Sequence, residues 1–225
     1  MQPRISAKNL TLTFGETKAL NNASVEVFPG EVLAIMGPSG SGKSTLLHCL
    51  AGILTPDSGE VHFDGARVDN QRSAKRDALR MQHFGFVFQF GDLIPELTLK
   101  ENIALPLMMN GVAKKVAFAR AEHLAEEMDV AEILERTAAE VSGGQAQRAA
   151  IARALVTKPA VLFADEPTGS LDSLSGEKVL DILVELARKE GSSVVLVTHA
   201  IEVAAVSDRE IIIRDGQVVE SIRSS

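Results

Sequence analysis

Hydrophobic positions change period several times along the chain, and the changes divide it into stretches of different structure. Ile5 to Phe14 alternates, with Leu10, Leu12 and Phe14 set against polar neighbours. Ala23 to Phe28 alternates again, so the chain opens with antiparallel strands. Pro29-Gly30 turns it into Val32–Met36, a short and partly β-branched apolar run that reads as a buried parallel strand. From Thr45 to Ala51 the apolar spacing and good helix formers predict a helix. Thr55–Gly59 is a dense turn signal, followed by a short strand from Glu60 to Phe63 and a turn at Asp64-Gly65. Residues 70 to 82 are basic and polar at helical spacing, which reads as a solvated helix face, and Phe84–Phe88 reads as a further strand.

From Thr98 to about Ala139 the strand signal disappears in favour of Ala, Leu, Met, Glu and Lys. Breaks at Pro106 and at Asn110-Gly111 imply several helices in a separate lobe. Met108 and Met109 are either plain core or an adaptable contact surface. Ser142 stands as an N-cap before a strongly helical stretch, Ala146 to Val156. Strand-like Ala160–Ala164 then ends in Asp165-Glu166, a helix is expected from about Ser173 to Lys189, and a strand from Ser193 to Val197 leads to Thr198-His199. Arg209–Arg214 and Gln217–Ser221, around Asp215-Gly216, close the chain as a hairpin.

Composition narrows this picture without redrawing it. The 225 residues are 45% hydrophobic and 24% charged, enough for one large domain or one with a sizeable insertion. No apolar run approaches the ~20 residues that cross a bilayer, and a basic-then-apolar secretory start is absent, so a cytoplasmic chain is expected. A net charge of −7 argues against a general nucleic-acid surface, and none is expected as a partner. The single cysteine, Cys49, cannot form an internal disulfide and reads as packing.

Candidate chemistry concentrates in Gly37-Pro38-Ser39-Gly40-Ser41-Gly42-Lys43-Ser44-Thr45, which fits G-x-x-x-x-G-K-[ST] at every fixed position, between a strand and a helix. Its glycines let successive backbone N–H groups turn inward around phosphates, and the helix N-terminus adds partial positive charge. Lys43 is expected on the β- and γ-phosphates and the Ser44 hydroxyl on Mg²⁺. Two adjacent acids after a buried strand are costly unless a metal, hydrogen bonds or water receive them. Asp165 is therefore the expected metal carboxylate, with Glu166 polarising an attacking water. Gln89 and His199 are polar residues at strand ends, where ligands of open α/β sheets bind. Alone, either reads as ordinary. Ser142-Gly143-Gly144-Gln145 is a second approachable helix start, and one chain has no obvious need of two.

The order of these features over essentially the whole chain resembles the nucleotide-binding subunit of ATP-binding cassette transporters. Gly37–Thr45 is similar to that family's Walker A loop, Gln89 to its Q-loop glutamine and Ser142–Gln145 to its signature motif. Val161–Asp165 resembles Walker B, with Glu166 as the catalytic carboxylate, Ser170-Leu171-Asp172 the D-loop and His199 the switch histidine. Phe14 stands in the place of the adenine-stacking aromatic. Val141, Ala146 and Ala200 depart from the usual pattern at secondary positions.

The resemblance implies an α/β fold: a P-loop NTPase core with a mostly parallel sheet, an antiparallel β subdomain and an inserted α-helical subdomain. Residues 1–90 and 157–225 would form the core with the β subdomain, and about 91–156 the helical lobe. It also implies a homodimer in which the signature helix of one subunit caps the γ-phosphate held by the other. Ser142, Gly143, Gly144, Gln145 and Asp172 then join the nucleotide-binding set, with Ser44, Gln89 and Asp165 around Mg²⁺ and Glu166, His199, Lys43 and Gln89 in catalysis. The expected activity is Mg²⁺-dependent ATP hydrolysis on the cytoplasmic face of the inner membrane, contacting the membrane only through a separate permease.

Phe88–Pro95 with Leu97-Thr98, Glu101-Asn102 and Leu105-Pro106-Leu107 looks like the class that includes lipoprotein-release, macrolide-efflux, cell-division and haem-export ATPases. Export of haem or another hydrophobic compound is the preferred expectation for cargo, with lipoprotein-release, cell-division and antimicrobial-peptide systems as alternatives. A soluble mechanical ATPase acting on DNA or ribosomes is the rival of another class. Such proteins often carry two cassettes or a long coiled-coil insertion, and this chain has one set of motifs and a compact lobe. A small-molecule kinase would leave Ser142–Gln145 and His199 without a role.

Overall fold

The computed structural model describes residues 2–89, 92–169, 171, 173–198 and 206–223. Two sheets form the frame. β1 (Ile5–Phe14), β2 (Thr17–Val27), β4 (Ser58–Phe63) and β5 (Ala66–Arg67) make a four-stranded antiparallel sheet in the order β2-β1-β4-β5. β3 (Val32–Met36), β6 (Phe84–Val87), β7 (Val161–Asp165), β8 (Ser193–Val197), β9 (Arg209–Arg214) and β10 (Gln217–Arg223) make a six-stranded sheet in the order β10-β9-β3-β8-β7-β6. All pairings in the second sheet are parallel except the closing β9–β10 hairpin.

The first strand, both acid-bearing and phosphate-loop strands and the closing hairpin lie where the hydrophobic pattern predicts. β2 begins six residues ahead of the predicted alternation at Ala23. Register shifts against β1 between Leu10 and Thr13, together with a left-handed Asn22, break the period of two there and hide it from the sequence pattern.

Parallel strands expose both faces to other layers, and β3, β7 and β8 are accordingly buried throughout except at Met36 and Asp165, the last residues of β3 and β7. Leu33, Ile35, Val161, Phe163, Val195 and Val197 face one core, shared with the antiparallel sheet and with Leu46, Leu47 and Leu50 of α1 (Lys43–Leu50). Val32, Ala34, Leu162, Ala164, Val194 and Leu196 face the other. That second core continues into α3 (Leu99–Met109), α4 (Lys114–Glu127), α5 (Gly143–Leu155) and α6 (Ser173–Lys189) through Ile103, Ala121, Leu124, Ile151 and Leu183. The helical lobe is thus bound to the sheet by continuous apolar packing. α2 (Ser73–His83) buries no side chain, in keeping with its polar sequence.

Pro106 does not break a helix. It lies inside α3, where it withholds one donor from the Asn102 carbonyl, yet the next turn closes with Asn110 N–H on the Pro106 carbonyl at 3.1 Å. The helix survives because Thr98 and Glu101 form a reciprocal capping box at its start and Leu99, Ile103 and Ala104 are buried.

The parallel register sets the function of one sheet edge. Ile35 pairs with Val197 and Asp165 also pairs with Val197, so β3, β8 and β7 end level. The chain therefore delivers the phosphate loop, Glu166, Thr198 and, from β6, Phe88 and Gln89 to a single edge.

Candidate functional site

The loop between β3 and α1 can only be built from small residues. Gly37 has φ +146 and a Cβ there would press into the Ile213 carbonyl oxygen; Gly42 has φ +105 and its Cβ would meet the Ala19 carbonyl. β9 and β2 thus clamp the loop from two sides. A hydrogen bond of 3.0 Å from Gly216 N–H to the Ser41 carbonyl adds a third hold. α1 starts at Lys43 with Gly42 as an N-cap that offers no side-chain hydrogen bond, which leaves its first-turn N–H groups open to an anion.

Lys43 is only 7% exposed, and its ammonium donates to the carbonyls of Gly37 and Pro38 at 2.9 Å each. The cation is held at the centre of the loop, where phosphate oxygens would meet it. Ser41 is buried, and its Oγ has no hydrogen-bond partner among the described residues. An unsatisfied buried hydroxyl beside free helix N–H groups fits an incoming phosphate.

Ser44 Oγ donates to Asp165 Oδ1 at 3.1 Å. Burial raises the Asp165 carboxyl above the ordinary aspartate range and Glu166 pushes the same way, against the Ser44 hydrogen bond and the cationic influence of His48 and Lys43. A hydroxyl and one desolvated carboxylate, next to a place for phosphate oxygens, is a hard-oxygen donor set of the kind Mg²⁺ takes, usually one or two carboxylates completed by substrate and water. Among the described residues no group of three or more His, Cys, Asp or Glu gathers to hold a metal unaided.

Glu166 occupies the left-handed region at φ +48, rare for a residue with a side chain. Its N–H donates to the Val197 carbonyl at 2.9 Å, and its own carbonyl accepts from Gly169 at 3.0 Å. The backbone thus leaves β7 sharply and presents Glu166 at the sheet edge. Gln89 meets that turn: a Cβ on Gly169 would lie 2.9 Å from Gln89 Nε2. Phe14, 52% exposed, ends β1 at the hairpin whose returning strand passes Gly42. His199 and Asp172 lie outside the described residues, as do Ser170, Ala200, Phe90 and Gly91.

Ser142–Gln145 form a site of their own. Ser142 caps α5 as the sequence predicts, with Gln145 N–H on its Oγ at 3.3 Å and Gln145 Oε1 accepting from Ser142 N–H at 3.0 Å. The turn lines a polar cavity of about 490 Å³ with Asp129, Arg148, Leu171, Ser175 and Val179, and no phosphate-loop residue is among the lining. A second, apolar cleft of about 370 Å³ runs beside β6, lined by Met81, Phe86, Phe88, Leu105, Pro106 and Met109 among others.

Two buried amides escaped the sequence reading. Gln147, 1% exposed, donates from Nε2 to the Phe88 carbonyl at 3.1 Å and to the Pro167 carbonyl at 2.6 Å. Asn102, fully buried, accepts from Ile94 N–H at 2.7 Å and donates to the carbonyls of Ile94, Leu97 and Thr98. The signal for Gln147 was its place on the face of α5 that also carries Ala150, Ile151 and Ala154, where a polar residue needs partners.

A family model described as ABC transporter matches residues 20–169. The lipoprotein-releasing system ATP-binding protein LolD of Bacteroides fragilis is 40% identical over 96% of this chain and 100% of its own length, and LolD of Aquifex aeolicus 43% identical over 97% of each. The macrolide export ATP-binding/permease protein MacB of Marinobacter nauticus is 42% identical over 97% of this chain, which matches 34% of that longer protein. Among solved structures, a dimeric ATP-binding cassette in a post-hydrolysis state bound to ADP and Pi is 37% identical, covering 98% of this chain and 99% of that one with a TM-score of 0.91. A nucleotide-free cassette from an ABC transporter is 27% identical with a TM-score of 0.84. By fold, by the phosphate loop and by these matches, the chain belongs to the ABC transporter family, as an ATP-binding and ATP-hydrolysing subunit.

Proposed function

We propose that two copies of this chain close head to tail around ATP and power a separate membrane permease of the lipoprotein-releasing or macrolide-exporting type. The observation that carries the proposal is the separation of two helix starts: the cavity at Ser142–Gln145 has no residue of the 37–45 loop in its lining. A half-site without phosphate-binding partners in its own copy is completed by a second copy. Such a donor set arriving only on assembly acts as an arginine finger does, stabilising charge that develops on the transferred phosphoryl group.

In this reading Lys43, Ser41 and the N–H groups of residues 37–45 hold the phosphates, and Phe14 stacks on the base. Ser44, Asp165 and Gln89 would hold Mg²⁺, which when bound neutralises charge on the β- and γ-phosphate oxygens. Glu166 takes the proton of the attacking water, His199 contacts the γ-phosphate, and Asp172 meets the partner copy. Ser142, Gly143, Gly144 and Gln145 donate across the interface.

Haem as cargo draws no support from the relatives, whose names speak of lipoprotein release and macrolide export. The relatives favour the alternative. No described helix is long and apolar enough to cross a membrane. We place this subunit on the cytoplasmic face of the inner membrane, held by its permease. The apolar cleft beside β6 is the proposed contact, because Met109 (63% exposed) and Met81 line it and Phe88 carries its state directly to Gln89.

The test is sedimentation of the Glu166→Gln variant with ATP and Mg²⁺. It should bind nucleotide and persist as a dimer, while turnover drops by ~10²–10⁴-fold for loss of general-base assistance. A nucleotide-loaded variant that stays monomeric at every concentration would overturn the shared site, and wild-type turnover would remove Glu166 from its role.

A further inference from the structure

We propose that Gln147 is a positioning residue that locks the helix bearing Ser142–Gln145 to both segments presenting Gln89 and Glu166, so that the two halves of the chemistry respond as one body. The inference rests on the site reading above and adds to it the part that joins the halves.

The geometry is specific. Gln147 stands one turn into α5, buried, and its Nε2 carries two hydrogens with two carbonyls in reach, Phe88 at 3.1 Å and Pro167 at 2.6 Å. Phe88 is the residue before Gln89, so holding its carbonyl fixes the peptide plane from which the Gln89 side chain departs. Pro167 is the residue after Glu166. It has no N–H of its own, so its carbonyl is its one backbone group that can bond, in a turn also held by Glu166 N–H on Val197, Gly169 N–H on Glu166 and Leu171 N–H on Thr168. The same amide therefore restrains a left-handed Glu166 that would relax if the turn were loosened.

The two restrained segments also touch, through Gln89 and Gly169. Gln147 holds from beneath the point where they meet. A displacement of the first turn of α5 by an arriving partner therefore moves Gln89 and Glu166 together, and misplacement of either strand end is felt at the Ser142 turn.

The side chains nearest in shape do not replace this amide. Glutamate keeps the shape but brings acceptors to face two carbonyl oxygens. Methionine keeps the length and leaves both carbonyls unpaired. Asparagine is too short to reach both.

The test uses the full chain carrying Gln147→Met, assayed for phosphate release across ATP concentrations. Turnover is expressed per nucleotide-binding site titrated on the same preparation, so loss of folded protein does not count. The expected result is a kcat lower by roughly 10–100-fold, the scale of an ångström-sized misplacement, with the ATP dissociation constant changed by no more than about twofold. Turnover per site within about twofold of wild type overturns the proposal, as does a loss of ATP affinity equal to the loss of kcat.

Glu166→Gln, run in parallel, separates the failures. Wild-type turnover in that variant sinks the site reading, whereas its loss beside an active Gln147→Met sinks only the role given to Gln147. Should Gln147→Met fail to fold, nitrogen-15 glutamine-labelled wild-type chain decides. Both side-chain amide protons of Gln147 should resist solvent exchange, and rapid exchange of both overturns the proposal.

Discussion

Replacing Gly37 by alanine asks whether the phosphate loop is held by steric fit or merely permitted by flexible residues. A Cβ at Gly37 would fall below 3.0 Å from the Ile213 carbonyl oxygen and lie 2.9 Å from Ser41 Oγ. The oxygen belongs to the backbone of β9, paired with β10 at Ile213 itself and with β3 up to Ile212, so it cannot swing away as a side chain would. Gly40→Ala is the matched control. It also places a side chain at positive φ, +76, but nothing lies within 4 Å of its Cβ.

Both variants carry the cost of a side chain at positive φ, about 1–3 kcal/mol. Only Gly37→Ala adds overpacking, about 1–3 kcal/mol. For a chain of this size each kcal/mol lowers Tm by about 2–4 °C, so Gly37→Ala should melt a further ~2–12 °C below Gly40→Ala. Calorimetry or reversible urea unfolding of the nucleotide-free chain measures this. Because the clash also displaces Ser41 Oγ and the carbonyl that receives Lys43, ATP affinity should fall more in Gly37→Ala as well. Equal losses of stability in the two variants, or a greater loss in Gly40→Ala, would refute the clamp.

Two further outcomes follow from the same geometry. Burial holds the Asp165 carboxyl above its ordinary range, so its ionised form costs the nucleotide-free fold stability at neutral pH; that cost is absent below the unfolded-state pKa, where the group is protonated in both states, and grows as pH rises toward the folded value. The Tm of Asp165→Asn relative to wild type should therefore increase with pH across that window while ATP hydrolysis is lost, and a difference that shrinks as pH rises would contradict the buried-carboxylate account. Cys49 is buried and its thiol is pushed up to about 12 by desolvation, with Asp57 adding to the shift, so alkylation by iodoacetamide at pH 8 should be negligible until the chain unfolds, and prompt labelling of the native chain would place the thiol elsewhere.

What could be read from the sequence was what local chemistry dictates. The phosphate loop announces itself because Lys43 and the two fixed glycines, Gly37 and Gly42, are needed within a few residues of one another, and both glycines prove to be steric necessities against Ile213 and Ala19. Asp165-Glu166 stood out because adjacent acids after Val161–Ala164 have no packing use. Ser142 was legible as a cap for the same reason. Contacts between segments far apart in sequence were not legible: Gln147 reaches Phe88 and Pro167, residues 59 and 20 positions away, and nothing near it in the chain signals either. Pro106 misled because proline is a strong local breaker, while the capping box at Thr98 and the burial of Leu99 and Ile103 that override it belong to the assembled lobe. The early part of β2 was hidden by bulges that shift its register.

The sheet explains why these parts can cooperate. Its strands end level, so residues from β3, β7, β8 and β6 reach one edge although they are spread over more than a hundred and sixty positions. That edge alone would make a nucleotide site that senses nothing beyond itself. α5 changes this, because its first turn faces a separate cavity while its buried face is packed through Ile151 and Leu155 into the core behind β3, β7 and β8. A close-packed core transmits displacement instead of absorbing it. Under the proposed dimeric arrangement, any force a second copy applies at Ser142 is therefore delivered to the strand ends, and the amide of Gln147 is the place where packing alone gives way to directional hydrogen bonds.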